Sequence, residues 1–362
     1  MQLNTHNARL KRTLQAARHA SRTATTKEEL LVAVDALLAF YGKMHYDNRL
    51  PWLTVVLGLP LLAASMSGQL DTWLPVLQPL ADLLKQRLVE LRVNLEFGLM
   101  AATVASALAL WDRRKPIPNL AQALAERSSL ITAGLVEIPV NTPQVLSMLQ
   151  TRFIDYRRGE KKRYLHRGMQ GRSQGPRYTL DYRWYLLIYD DEGPGTQEKL
   201  PDSEGSTRLQ TKSSWNLSHR FSLVIDFPWV EGIALGSSRL KHRFAPTSSE
   251  FNNAFTLSGD SVIACARFAK PSTQLHLTRL SYELDAPSLQ FSEGQLCLGC
   301  NNNPLHFELP CDLTQPYWFR EFIAEGVQLP RLSRLLEAIH ILAEQQDDNF
   351  NVPAPAPLHT EN

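Results

Sequence analysis

The chain comprises 362 residues, 44% hydrophobic and 20% charged, which is enough for two or three domain-sized units and excludes a collagen-like, wholly disordered or disulfide-stapled small protein. With 38 Lys+Arg against 36 Asp+Glu the formal charge is +2, so no global field recommends a nucleic-acid coat or an acidic partner. Four cysteines, all in the last third, do not make a secreted disulfide framework and point to a reducing compartment for that region.

The first residues, MQLNTHNARLKRTLQAARHAS, are basic and polar and lack the apolar stretch of a secretory signal. Two overlapping capping boxes follow, Thr25 with Glu28 and Thr26 with Glu29. Leu30, Val34, Leu37, Leu38 and Tyr41 then recur at helical spacing, predicting an amphipathic helix over 25–46. Residues 1–49 thus form an N-terminal region built on that helix.

Leu50 to Leu70 runs 21 residues without a charge, a helix of about 31 Å against a hydrocarbon core of roughly 30 Å. Trp52 and Trp73 stand near its two ends like an interfacial aromatic belt. A second apolar run, extended back from Phe97–Trp111 to Val93, spans 93–111 with small residues at close spacing, which favours packing on the first. The pattern predicts a transmembrane hairpin over 50–112 (spans 50–70 and 93–111), with the amphipathic 71–92 segment at the interface. The first fifty residues hold eight Lys/Arg and Asp112 is followed by Arg113, Arg114 and Lys115, against three in the hairpin loop. The positive-inside rule then places both termini in the cytoplasm.

Lys115-Pro116-Ile117-Pro118 opens a linker over 113–150 with a short helix near 119–131. Nine Lys/Arg crowd Arg152–Arg177. Strand-like composition follows at 178–191, 219–227, 231–237, 254–259, 261–268, 288–300 and 305–309, with an exposed loop over 192–214 and helices over 271–284 and from Leu329 onward. Strands grouped and then helix predict a cytosolic mixed α+β domain over 151–345 with a largely antiparallel sheet, and a disordered tail over 346–362.

The succession FSLVIDFPWVEGIAL (221–235), SSEFNNAFTLSGDSVIACARF (248–268) and SLQFSEGQLCLGCNNNPLHFEL (288–309), behind two apolar runs, resembles the bacterial membrane-anchored family of domain of unknown function 3137. The resemblance rests on Phe251, Phe255 and Phe268, then on Phe291, Glu293, Gly294, Leu296, Phe307 and Glu308. It covers 210–345, and 25–115 in architecture only. Ser261 to Arg267 is apolar where the family carries an acidic, glutamine-rich segment. The resemblance implies a location in the bacterial cytoplasmic (inner) membrane and this fold, and supplies no catalysis.

Two patterns suggest chemistry. Cys297, Cys300, His306 and Cys311 are a legitimate tetrahedral zinc set, one residue off the spacing of a nucleic-acid-binding zinc knuckle, set against ordinary packing of a hairpin. Arg157, Arg158, Lys161, Lys162, Arg163 and Arg167, interleaved with aromatics, suit anionic membrane lipid, a protein partner or a merely solvated strand and loop better than nucleic acid. Asp190-Asp191-Glu192 beside a glycine-proline turn and Asp347-Asp348 at the start of the tail read as solvated ends rather than a metal cage. Walker, zincin, nucleophile-elbow and dinucleotide motifs are missing. The sequence therefore points to a membrane-anchored module that binds protein or lipid. The alternatives are a tethered hydrolase with an unrecognised site and a zinc-knuckle nucleic-acid binder.

Overall fold

A computed structural model describes the chain except for residues 1–4, 41–42, 67–94, 141–142, 160–161, 193–195, 202–206, 213–214, 237–239 and 351–362. The predicted interfacial segment over 71–92 and the tail beyond Phe350 lie outside the described residues. The chain divides into two compact units, one of Met1–Ser129 with Glu308–Val327 and one of Leu130–Phe307 with Gln328–Asn362.

The first unit is helical. α1 (Thr5–Thr23) occupies the basic, polar stretch at the start of the sequence. It buries Leu10, Leu14, Ala17 and Ser21, one face at the i, i+4, i+7, i+11 spacing. α2 (Lys27–Leu38) starts at the predicted box: Thr26 accepts from Glu29 N at 3.3 Å and Glu29 reaches back to Thr25 N at 2.7 Å. It ends at Leu38 rather than 46, because its buried stripe of Leu30, Ala33, Val34 and Leu37 stops there. α3 (Arg49–Met66) and α4 (Leu95–Asp112) pack together. α5 (Pro116–Thr132) contributes Arg127, whose Nε donates to Ala24 O, the carbonyl just past the end of α1, at 2.6 Å.

The transmembrane hairpin is a correction. Among the described residues no helix is long and apolar enough to cross a membrane. α3 and α4 have 18 residues each, about 27 Å, and part of that length is charged. Without Arg49 at one end, and Glu96 and Asp112 at the ends of the other, the charge-free runs are about 25 and 22 Å against roughly 30 Å of hydrocarbon. The assignment to the bacterial inner membrane, which rested on those spans, falls with them.

The second unit is α+β, as predicted, around a nine-stranded sheet whose pairings are all antiparallel. Its strands are β1 (Val136–Ile138), β2 (Arg163–Gln174), β3 (Thr179–Glu192), β6 (Trp215–Asp226), β7 (Ile233–Leu235), β8 (His242–Phe244), β9 (Leu257–Gly259), β10 (Ser288–Ser292) and β11 (Gln295–Cys300). They run in the order β1-β2-β3-β6-β11-β10-β7-β9-β8. The supposed loop over 192–214 contains β4 (Thr196–Pro201) and β5 (Thr207–Lys212), paired as a separate two-stranded sheet. Residues 261–268, expected as a strand, are instead helix α8 (Val262–Phe268). Ser261 caps it by accepting from Ala264 N at 3.1 Å, and Cys265 and Phe268, one turn apart, are its buried pair. Residues 305–309 form no strand. The β10–β11 hairpin turns on Glu293 and Gly294, at φ 52° and 69°, the double positive φ that a two-residue turn matched to strand twist requires.

One sheet face is covered by α6 (Pro143–Arg152) and a 3₁₀ turn (Ile154–Arg157), which bring Leu149, Phe153 and Tyr156 against Tyr185, Leu187, Val224 and Cys297. Elsewhere Phe227, Phe291 and Phe268 stack in series at 5.3 and 5.4 Å, with Trp229 4.9 Å from Phe227. Helices α9 (Pro271–Ser281) and α11 (Pro330–Phe350) pack together, and His276 Nε2 lies 2.8 Å from Ala338 O.

Beneath the 3₁₀ turn lies a charge pair. Asp155 and Arg220 are 5% and 1% exposed, and Arg220 Nε donates to Asp155 Oδ2 at 2.8 Å. Nη1 donates to Ala286 O and Asn301 Oδ1, both at 2.8 Å, and Nη2 to Ser288 Oγ at 2.7 Å. Arg158 Nε binds the other carboxylate oxygen at 2.6 Å. Next to it the Tyr156 hydroxyl and Ser222 Oγ are 2.5 Å apart. Gly299 is the floor: a Cβ there would run into Asp155 Oδ2, Ser288 Oγ and Arg220 Nη2. Arg220→Met should lower unfolding stability by about 3–5 kcal/mol, because it takes the buried partner from a carboxylate that then keeps only half-exposed Arg158 and the Ser288 hydroxyl, whereas Asp155→Ala combined with Arg220→Met should recover much of that loss. Urea denaturation of the three proteins measures both effects.

Candidate functional site

The predicted basic segment is largely consumed by the fold. Arg157 donates to the carbonyls of Gln150 and Thr151 at 2.7 and 3.1 Å, filling the open acceptors at the end of α6. Arg158 is held by Asp155. Arg163 donates to Arg157 O at 2.9 Å and to Gly159 O. Arg167 pairs with Glu137 of β1 at 3.4 Å. Lys162 is exposed, and its carbonyl accepts from Asp190 N at 3.0 Å; Lys161 lies outside the described residues. Four of these six side chains therefore hold backbone or carboxylates of their own unit. Asp190, expected at a solvated end, is buried on β3, and Asp347 accepts from Tyr178 and Arg177.

The cysteine and histidine set is dispersed. Cys297 sits mid-strand opposite Val224 in the core. Cys300, three residues on, faces the other way and donates its thiol to Asn302 O at 3.3 Å. His306 is exposed in the following loop, and Cys311 belongs to the first unit. Among the described residues no group of three or more His, Cys, Asp or Glu side chains is placed to hold a metal ion. Burial pushes the Cys297 thiol well up and that of Cys300 to about 12. A thiol reagent applied to the native chain at pH 8 should thus modify partly buried Cys311 first and leave Cys297 and Cys300 intact until denaturant is added. Mass mapping of the adducts checks this.

Two other features were not foreseen. The first is the surface of the α3–α4 pair. Gly58 allows the close approach of the helices, since a Cβ there would strike the Thr103 hydroxyl. Around that contact the outer faces expose Trp52, Leu53, Val56, Leu57 and Leu59 on α3 and Phe97, Met100, Val104, Leu108 and Trp111 on α4. The apolar residues encircle both helices, with no polar face, a pattern that water-exposed helices avoid.

The second is a cleft of about 440 Å³ in the second unit, between the β2–β3 turn and α11. Ser173 at the end of β2 and His340 on α11 meet there, with Oγ and Nε2 2.9 Å apart. His340 is 6% exposed, and its Nδ1 has no hydrogen-bond partner among the described residues. Gly175 makes the approach of turn and ring possible, since a Cβ there would overlap the imidazole. Burial lowers the His340 pKa below 6.5, opposed by the carboxylate of Glu344 one turn away. Half of a nucleophile–base–acid relay is present, but among the described residues no carboxylate orients Nδ1.

No family model, no curated protein and no solved structure matches the chain.

The titration has a definite sign. An unfolded chain protonates this histidine through pH 6.5, whereas the folded chain holds it neutral to lower pH. The proton therefore favours unfolding, so the stability is fully present above pH 6.5 and is lost as pH falls toward the folded value. Between pH 7.5 and 5, wild type should lose more stability than His340→Gln, measured by urea unfolding at each pH.

Proposed function

We propose that the protein is an interaction module that docks another polypeptide on the α3–α4 helix pair. The observation that carries this reading is the exposed apolar surface from Trp52 to Leu59 and from Phe97 to Trp111 on two helices with no polar face. Contiguous apolar surface on that scale marks a binding site. Among the described residues no helix is long and apolar enough to cross a membrane, which favours a protein cover.

The chemistry to be recognised is an apolar helix face. Trp52, Phe97, Met100 and Trp111 belong to the residue types that anchor such interfaces. The basic segment contributes little to this reading, because its guanidinium groups are engaged internally.

A photo-crosslinking residue placed at Leu53 or Leu108 in the full chain, irradiated in cells, should give adducts with a polypeptide. The same residue at exposed Glu28 on α2 should not. Leu57→Glu together with Leu108→Glu should abolish the adduct. Adducts with lipid alone, or equal adducts at Glu28, would refute the reading.

A further inference from the structure

Within the apolar coat of the α3–α4 pair the large side chains are not spread evenly. Gly58 and Thr103 mark where the two helices touch. At about 100° of turn per residue counted from Thr103, Phe97, Met100, Val104, Leu108 and Trp111 all fall between roughly 60° and 140°. Counted likewise from Gly58, Trp52, Val56 and Leu59 fall between roughly 100° and 160°. Arg113, just past α4, donates to Asp47 O and Asn48 Oδ1, just before α3, both at 3.3 Å, so the helices run antiparallel. Right-handed helices running in opposite directions turn equal angles to the same side of their common plane. The two stripes therefore form one flat apolar face, whose large side chains are 48–64% exposed.

From this face we infer that the polypeptide docked on α3–α4 is a second copy of the chain, the two faces stacking into a four-helix bundle about a two-fold axis that runs across the helices near Gly58. The inference rests on the docking reading and names its partner. The half-exposed stripes offer on the order of 800 Å² per copy, which is what each side of a stable interface buries. Shape is self-complementary. Along the face α3 tapers from Trp52 through Val56 and Leu59 to exposed Ala63, and the axis lays each Trp52 over the Ala63 of the other copy, so that large meets small at both ends. Charge selects the direction of the axis. Arg49 opens α3 and Arg113, Arg114 and Lys115 follow α4, all at one end of the pair. An axis along the helices would bring both cationic ends together, whereas an axis across them sets the two ends about 27 Å apart.

Sedimentation equilibrium of the full chain should return twice the chain mass. Leu108→Glu alters a side chain that is exposed in the single copy, so it should leave the circular dichroism unchanged while raising the dissociation constant at least about tenfold. A photo-crosslinking residue at Trp52 should give an adduct of twice the chain mass that maps to the residues around Ala63. An intermolecular adduct mapped instead to the end of α4 around Trp111, or an unchanged dissociation constant in Leu108→Glu, would overturn the inference. A monomer at every concentration would overturn it as well. If the crosslink from Leu108 to a different polypeptide then persists, the docking reading stands without this partner; if no polypeptide is crosslinked there, both fall.

Discussion

The second unit depends on a charge pair that its strands cannot leave unmet. Arg220 projects from β6 beneath the 3₁₀ turn, where a guanidinium without partners would be prohibitive. Four of its hydrogen bonds tie the turn at Asp155, the start of β10 at Ser288, the loop carbonyl of Ala286 and Asn301 after β11. Each bond constrains a different segment, so the group stabilises one arrangement more than it adds net energy. Ala286, at φ 48°, shows the constraint in the backbone: a non-glycine residue holds a left-handed conformation in the segment whose carbonyl the guanidinium requires.

The same node explains the fate of the basic stretch. Arg157 closes the last carbonyls of α6, Arg158 completes the Asp155 pair and Arg163 binds the turn that follows. A run of cations that resembles an anion-binding surface is in effect a set of backbone and carboxylate caps. The surface left with unmet chemistry lies elsewhere. It is the apolar helix pair without a polar face in the first unit.

Much of the architecture was legible. Thr26 and Glu29 announced α2 and the aromatic and β-branched run announced β3, whereas 288–300, read as one strand, folds back on itself at Glu293-Gly294. The failures have identifiable causes. Apolar length alone suggested membrane spans, because a charge-free run in the sequence does not show how much of it is helix. Val262 to Phe268 looked like a strand by composition, and the serine cap that makes it a helix weighs little in such a count. The Ser173–His340 meeting was invisible, since 167 positions separate the two residues.

What the amino-acid order determined by itself was local: caps, turns, the alternation of strands, and the grouping of strands that makes an antiparallel sheet. Arg220 shows its limit. Along β6 the residues Arg220, Ser222, Val224 and Asp226 alternate with Phe221, Leu223 and Ile225, which reads as a wet face and a dry one. Only the tertiary structure decided that both would be covered, because a side chain's solvent is set by whatever packs on it from distant parts of the chain. The same holds for the α3–α4 face, since a periodicity can show which residues share a face but not whether anything comes to cover it.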